Sequence, residues 1–92
     1  MSLHIVLCDD APAEIEYLRQ LLAQWMTARR RPARVSACDS AEALLFAFDE
    51  DRSADILLLD IQMKGMDGVS LAKRLRETDR RMQIVFITGY PD

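Results

Sequence analysis

The chain has 92 residues, half of them hydrophobic and 29% charged, with a net charge of −3. That suffices for one small domain with a modest core and excludes a disordered chain. The mild acidity argues against a dedicated nucleic-acid surface, and no apolar run approaches the ~18–20 residues that cross a bilayer.

The N-terminal MSLHIVL has no basic region ahead of a long apolar one, so no signal peptide is read and a cytoplasmic location is expected. Residues 4–8 (HIVLC) form a short apolar strand that runs into Asp9 and Asp10. Over 12–29, Ile15, Leu18, Leu22, Trp25 and Met26 recur at helical steps, and Pro12 suits a first helical turn. The basic cluster ARRRPAR at 28–34 reads as a solvated helix end and loop, because cations suit helix C-termini. A weaker strand follows at 34–38 (RVSAC). Asp39 or Ser40 can cap the next helix, with Glu42 placed three residues after Asp39 as in a capping box. Leu44, Leu45 and Phe48 supply that helix's buried side.

Residues 55–60 (DILLLD) are a third strand ending in Asp60. A loop with GMDG leads to a helix over 68–78, with Leu71, Ala72 and Leu75 inward and Lys73, Arg74 and Arg76 outward. Residues 82–88 (MQIVFIT) form a fourth strand. Strands alternating with helices at this spacing imply βαβ units and a parallel sheet. Strands three and four are apolar without alternation, as expected when helices cover both faces. Cys8 and Cys38 have no metal-ligand spacing and read as core thiols. His4 reads as structural.

In a parallel sheet all strand C-termini share one edge, where open α/β sheets place their sites. Asp9, Asp10, Asp60 and Thr88 all fall there. Clustered carboxylates repel, and a hard divalent cation relieves the repulsion. Mg²⁺ takes one or two carboxylates with waters and phosphate oxygens, so this acidic set suits a Mg²⁺–phosphoryl site better than a closed structural metal site. An exposed aspartate can act as a nucleophile and form an aspartyl phosphate. Thr88 can donate a hydrogen bond to a phosphoryl oxygen, and Gly89 leaves room for it. Each element alone has a blander explanation: Asp10 as a cap for the first helix, Asp60 as a turn residue, Asp67 as a cap for the third helix. Only their joint order at these strand ends favours function.

IVLCDD, DILLLDIQMKGMDG and IVFITGY resemble the receiver domain of bacterial two-component response regulators, in the family's order and over essentially the whole chain. Their tone is similar to receivers that carry a LytTR-type DNA-binding domain. The resemblance implies a flavodoxin-like (CheY-like), doubly wound parallel sheet of order 2-1-3-4. It implies Asp60 as phospho-acceptor and Asp10 as direct Mg²⁺ ligand beside Asp60, with Asp9 acting indirectly. The Gln62 backbone carbonyl is a further implied ligand, and Thr88 the switch hydroxyl, with Gly89 beside the phosphoryl group. The implied partner is a sensor histidine kinase, and the implied output is transcriptional, with DNA reached only through an output domain outside residues 1–92. The chemistry is self-phosphorylation, not enzymatic turnover.

Two departures stand out. Lys64 replaces the usual proline in the loop after Asp60. Residues 1–92 also stop short of the family's last helix, strand and helix, and so lack its catalytic lysine and the aromatic partner of Thr88. A receiver read this way, as one incomplete domain over 1–92, is expected to label weakly or not at all by itself. It is also expected to self-associate through the fourth strand or the first helix. The alternative is a phosphorylation-independent interaction module. A phosphohydrolase is disfavoured because Gln62 stands where a second aspartate is needed, and a dinucleotide-binding domain because acids follow the first strand in place of a glycine-rich loop.

Overall fold

The computed structural model describes residues 3–63 and 67–87. Its elements run β1 (Leu3–Cys8), α1 (Pro12–Arg29), β2 (Ala33–Cys38), α2 (Ala41–Glu50), β3 (Ile56–Asp60), α3 (Gly68–Arg76) and β4 (Gln83–Ile87). All strand pairs are parallel, and the sheet order is β2-β1-β3-β4. β1 therefore lies centrally, and its crossover to β2 departs in the direction opposite to the step from β3 to β4. The doubly wound parallel sheet of order 2-1-3-4 that the resemblance implies is present.

The two faces of the sheet are unequal. On one, Val6 and Cys8 of β1 sit in register with Leu57 and Leu59 of β3. They pack with Leu44 and Phe48 of α2 and with Leu71, Ala72 and Leu75 of α3 to form the core. This explains the near-continuous apolar sequence of β3, in which successive residues feed opposite faces. On the other face lies α1, which has no fully buried residue. A groove there is lined by Ile5, Leu22, Trp25, Ile56 and Leu58.

The expectation that helices cover both faces of β4 is corrected here. Val85 is 46% and Phe86 43% exposed. Among the described residues no strand lies beyond β4. Trp25 and Leu21, assigned to or beside the helical stripe, are likewise partly exposed.

Local chemistry sets the helix ends. α2 is capped by Ser40, whose hydroxyl accepts from the Ala43 N–H at 3.0 Å, so of the two candidates Asp39 is not the cap and its box with Glu42 does not form. Asp67 caps α3, accepting from the Ser70 N–H at 2.8 Å. α1 starts on Ala11 with no side-chain cap, so Asp10 stands one residue ahead of the N-cap position. Its C-terminus closes on Arg30 in the left-handed region (φ 51°), whose N–H reaches the carbonyls of Met26 and Thr27. The 28–34 basic cluster is solvated there, as its charge suggested. Both cysteines are free thiols, Cys8 buried and Cys38 half-buried. No helix among the described residues is long and apolar enough to cross a membrane.

Candidate functional site

Parallel pairing carries the ends of β1 and β3 to the same edge of the sheet. Cys8 pairs with Leu59, so the next residues along each strand, Asp9 and Asp60, emerge side by side. One carboxylate oxygen from each of Asp9, Asp10 and Asp60 lies within 4.8 Å of the other two. Asp9 and Asp60 are buried, at 5% and 9% exposure, while Asp10 is exposed. The three acids singled out in the sequence are thus gathered from positions fifty residues apart, measured along the chain from 10 to 60.

Two matching turns hold the buried pair. Asp9 Oδ1 accepts the Ala11 N–H at 2.9 Å, and Asp60 Oδ1 accepts the Gln62 N–H at 3.1 Å. Each carboxylate bonds to the backbone two residues on, a local preference of aspartate that turns the chain as it leaves the strand. The strand end itself is pinned by backbone bonds, Asp9 N–H to Cys38 O and Ile61 N–H to Ile87 O, both 3.1 Å. The site edge is therefore built into the sheet ladder and is not suspended on loops.

Burial raises the Asp9 carboxyl above the usual range. The Ala11 N–H pulls it back, and the negative charges of Asp60, Asp10 and Glu14 push it up further. A cation placed among these oxygens would reverse that repulsion. The donor set fits a hard, oxygen-preferring ion: three carboxylates, one of them open to solvent, where water can complete the coordination. Sulfur is no competitor. The Cys8 thiol is pushed up to about 12, by burial first and by neighbouring Cys38 and the acids after it, so it stays protonated.

One structural residue of the site escaped the sequence reading. Gly68 starts α3 directly behind Asp60. Its N–H donates to Ile61 O at 2.9 Å, and a Cβ there would stand 2.5 Å from Asp60 O and 2.9 Å from Ile61 Cα. GMDG looked like ordinary loop chemistry, but the second glycine is required by close approach of two backbones. Gly68→Ala is expected to force the start of α3 away from the β3 end, at a cost of ~1–3 kcal/mol typical of overpacking. Thermal unfolding together with a Mg²⁺ titration checks this: a lower Tm and weaker cation binding are expected, and an unchanged Tm would contradict the tight contact.

Thr88 and Gly89, assigned the phosphate-contacting roles, lie outside the described residues, as does Lys64. The Gln62 side of the site is present, with its N–H on Asp60. His4 lies at the opposite edge of the sheet, away from the acids.

Comparison with known proteins agrees with fold and motif. The chain belongs to the response regulator receiver domain family, whose model matches residues 5–92. It is 34% identical over 87 residues to an uncharacterized response regulatory protein of Vibrio cholerae, covering 95% of this chain and 32% of that protein. It is 31% identical over 90 residues to the sensory transduction protein LytT of Bacillus subtilis, covering 96% and 34%. Among solved structures it resembles the response regulator TrrA of Thermotoga maritima. In complex with Mg²⁺–BeF, that protein superposes with TM-score 0.82 at 25% identity, covering 96% of this chain and 70% of that one. In complex with the histidine kinase ThkA it superposes with TM-score 0.81 at 24% identity, covering 98% and 72%. The chain spans about a third of the length of these curated relatives.

Proposed function

We propose that this receiver domain accepts a phosphoryl group on Asp60 from a histidine kinase and does so with Mg²⁺ held among Asp9, Asp10 and Asp60. The single observation that carries this reading is the convergence of those three carboxylates at the strand C-termini. Membership of the receiver family and likeness to a regulator solved with Mg²⁺–BeF support it.

Asp10, exposed at the mouth of the site, would be the direct ligand beside Asp60, with Asp9 acting from behind, through charge and through its hold on Ala11. The carbonyl of Gln62, whose N–H Asp60 holds, would supply the main-chain ligand. A bound Mg²⁺ would neutralise the acids and the phosphoryl oxygens. The chain's own contribution is to fix the attacking carboxylate. The Gln62 N–H holds one oxygen of Asp60 and the Gly68 contact holds its backbone. In the transfer, an Asp60 carboxylate oxygen forms the new O–P bond as the P–N bond of the donor phosphohistidine breaks, and the imidazole leaves with the electron pair and is protonated. Little covalent chemistry is asked of the protein beyond positioning and charge neutralisation. Thr88 and Gly89 are proposed to meet the phosphoryl group on arrival and so bias a population shift in the domain.

The output is proposed to be transcriptional, through a domain outside residues 1–92. The LytTR-like tone of the motifs supports this. The test is intact-mass measurement of the protein carrying residues 1–92 after treatment with Mg²⁺ and a small-molecule phosphodonor. A gain of one phosphoryl group is expected. No gain, with Mg²⁺ still bound, would favour the phosphorylation-independent interaction module.

A further inference from the structure

The N-terminal edge of the sheet, opposite the acids, carries a second polar cluster that the phosphoryl site does not use. His4 on β1 is the chain's one histidine and is only 8% exposed. Both ring nitrogens are engaged. Nε2 is 3.0 Å from Ser36 Oγ on β2, and Nδ1 is 2.9 Å from Ser53 Oγ on the loop that follows α2. The Arg34 guanidinium, also on β2, places Nη2 3.0 Å from the same Nδ1. That nitrogen of Arg34 also lies 2.7 Å from Ser53 Oγ and 3.2 Å from Asp51 Oδ2, so its two N–H groups are shared among three acceptors. The His4 backbone takes part too: its N–H donates to Asp55 Oδ2 and its carbonyl accepts from the Asp55 N–H, each at 2.8 Å.

A guanidinium can only donate. Taking Nδ1 as the acceptor facing Arg34 and the Ser53 hydroxyl makes the ring neutral, with Nε2–H donating to Ser36. One imidazole thus closes a link between β2 and the 51–55 loop that depends on its own lack of charge. A proton on Nδ1 would replace an acceptor with a donor and set a cation against a cation, so Arg34 would have to withdraw. With Arg34 go its bonds to Ser53 and Asp51. Asp51 and Ala54 of this loop also line, with Val6, Leu44 and Phe48, an apolar cavity of about 110 Å³ beneath α2.

We infer that His4 is a proton-sensitive latch: neutral, it fastens the loop between α2 and β3 to β2, and protonation expels Arg34 and frees that loop. The charged groups facing the ring are Arg34 from β2, Asp51 from the end of α2 and Asp55 from the entry to β3. Asp79 and Arg81 stand on the far side of the loop, sharing a cleft with Ser53 and Asp55. Burial first and Arg34 second lower the ring below its ordinary 6.5, while Asp51 and Asp55 pull it part of the way back. The folded state then binds this proton less readily than the unfolded chain. The latch's stabilisation is whole above pH 6.5 and is lost as pH falls from there through the folded value.

The His4 imidazole C–H resonances, assigned by their loss in His4→Gln, are followed by NMR from about pH 7.5 to about pH 5. A midpoint below 6.5 is expected, moving upward in Arg34→Ala, where the cation is gone and the two carboxylates remain. Protection of the Asp55 amide from hydrogen exchange is expected to fall through the same transition. His4→Gln should remove the loss of thermal stability over that range. Asp9, which titrates with the opposite sign, is common to both chains and cancels in the comparison. A midpoint at or above 6.5, or one unmoved by Arg34→Ala, would overturn the latch even if His4→Gln fails to fold. Unchanged acid sensitivity in a folded His4→Gln would overturn it as well.

Discussion

Asp60→Asn is expected to abolish phosphorylation of the protein carrying this domain while leaving the fold intact. The amide oxygen is a poor nucleophile, so the O–P bond has no partner at this position. The side chain keeps its shape, and its carbonyl oxygen still accepts the Gln62 N–H, so the turn that ends β3 is retained. The substitution also removes one of three charges that lie within 4.8 Å of one another. Repulsion between unit charges at about 5 Å is worth ~1–3 kcal/mol for effective dielectrics between bulk water and ~20. Without divalent cations the variant is therefore expected to melt slightly higher than the parent. That direction matters, because a lost phosphoryl group in a more stable protein cannot be blamed on unfolding. Intact mass and a thermal melt on the same samples check both halves. Equal labelling of variant and parent would move the acceptor to another residue.

Leu59→Ala is expected to have the largest effect on stability. Leu59 is fully buried, pairs with Cys8 and Phe86 in the sheet and belongs to the core formed with α2 and α3. Truncating a buried leucine costs ~2–5 kcal/mol, because the cavity left behind adds to the lost transfer free energy. A domain of this size has only ~5–14 kcal/mol in total. At ~4–8 °C per kcal/mol, Tm should fall by ~8–40 °C. Leu59 also immediately precedes Asp60, so loosening it should weaken cation binding at temperatures where the variant is still folded. Chemical denaturation measures the loss, and a value under ~1 kcal/mol would mean that β3 is not packed as described.

Much of this architecture was legible in the residues. The switch between short apolar runs and helical stripes located all seven elements, because a doubly wound fold alternates apolar strands with helices that keep one wet side. The acids were legible for a related reason: parallel strands send their C-termini to one edge, so Asp9, Asp10 and Asp60 had to meet once the strands were placed. What was illegible depends on atoms meeting across the fold. Ser40 displaced Asp39 as a cap because cap choice turns on local backbone angles. Gly68 is explained by the backbone of Asp60 and Ile61 behind it, a contact with no trace in a GMDG string. The exposure of Val85 and Phe86, and of Leu21 and Trp25, by contrast agrees with the expectation that the fourth strand and the first helix present open apolar surface. His4 looked merely structural because its partners, at 34, 36, 51, 53 and 55, are scattered polar residues with no motif spacing.

The central claim is that the ends of β1 and β3 together hold one cation beside a reactive carboxylate. Its most direct test is a Mg²⁺ titration followed residue by residue by NMR. Amides of Asp9, Asp10, Ala11, Asp60 and Gln62 are predicted to shift together along a single binding curve, and in Asp10→Asn that curve should move to higher Mg²⁺. Amides at 9–11 and 60–62 that stay still, or that move independently of one another, would contradict the account.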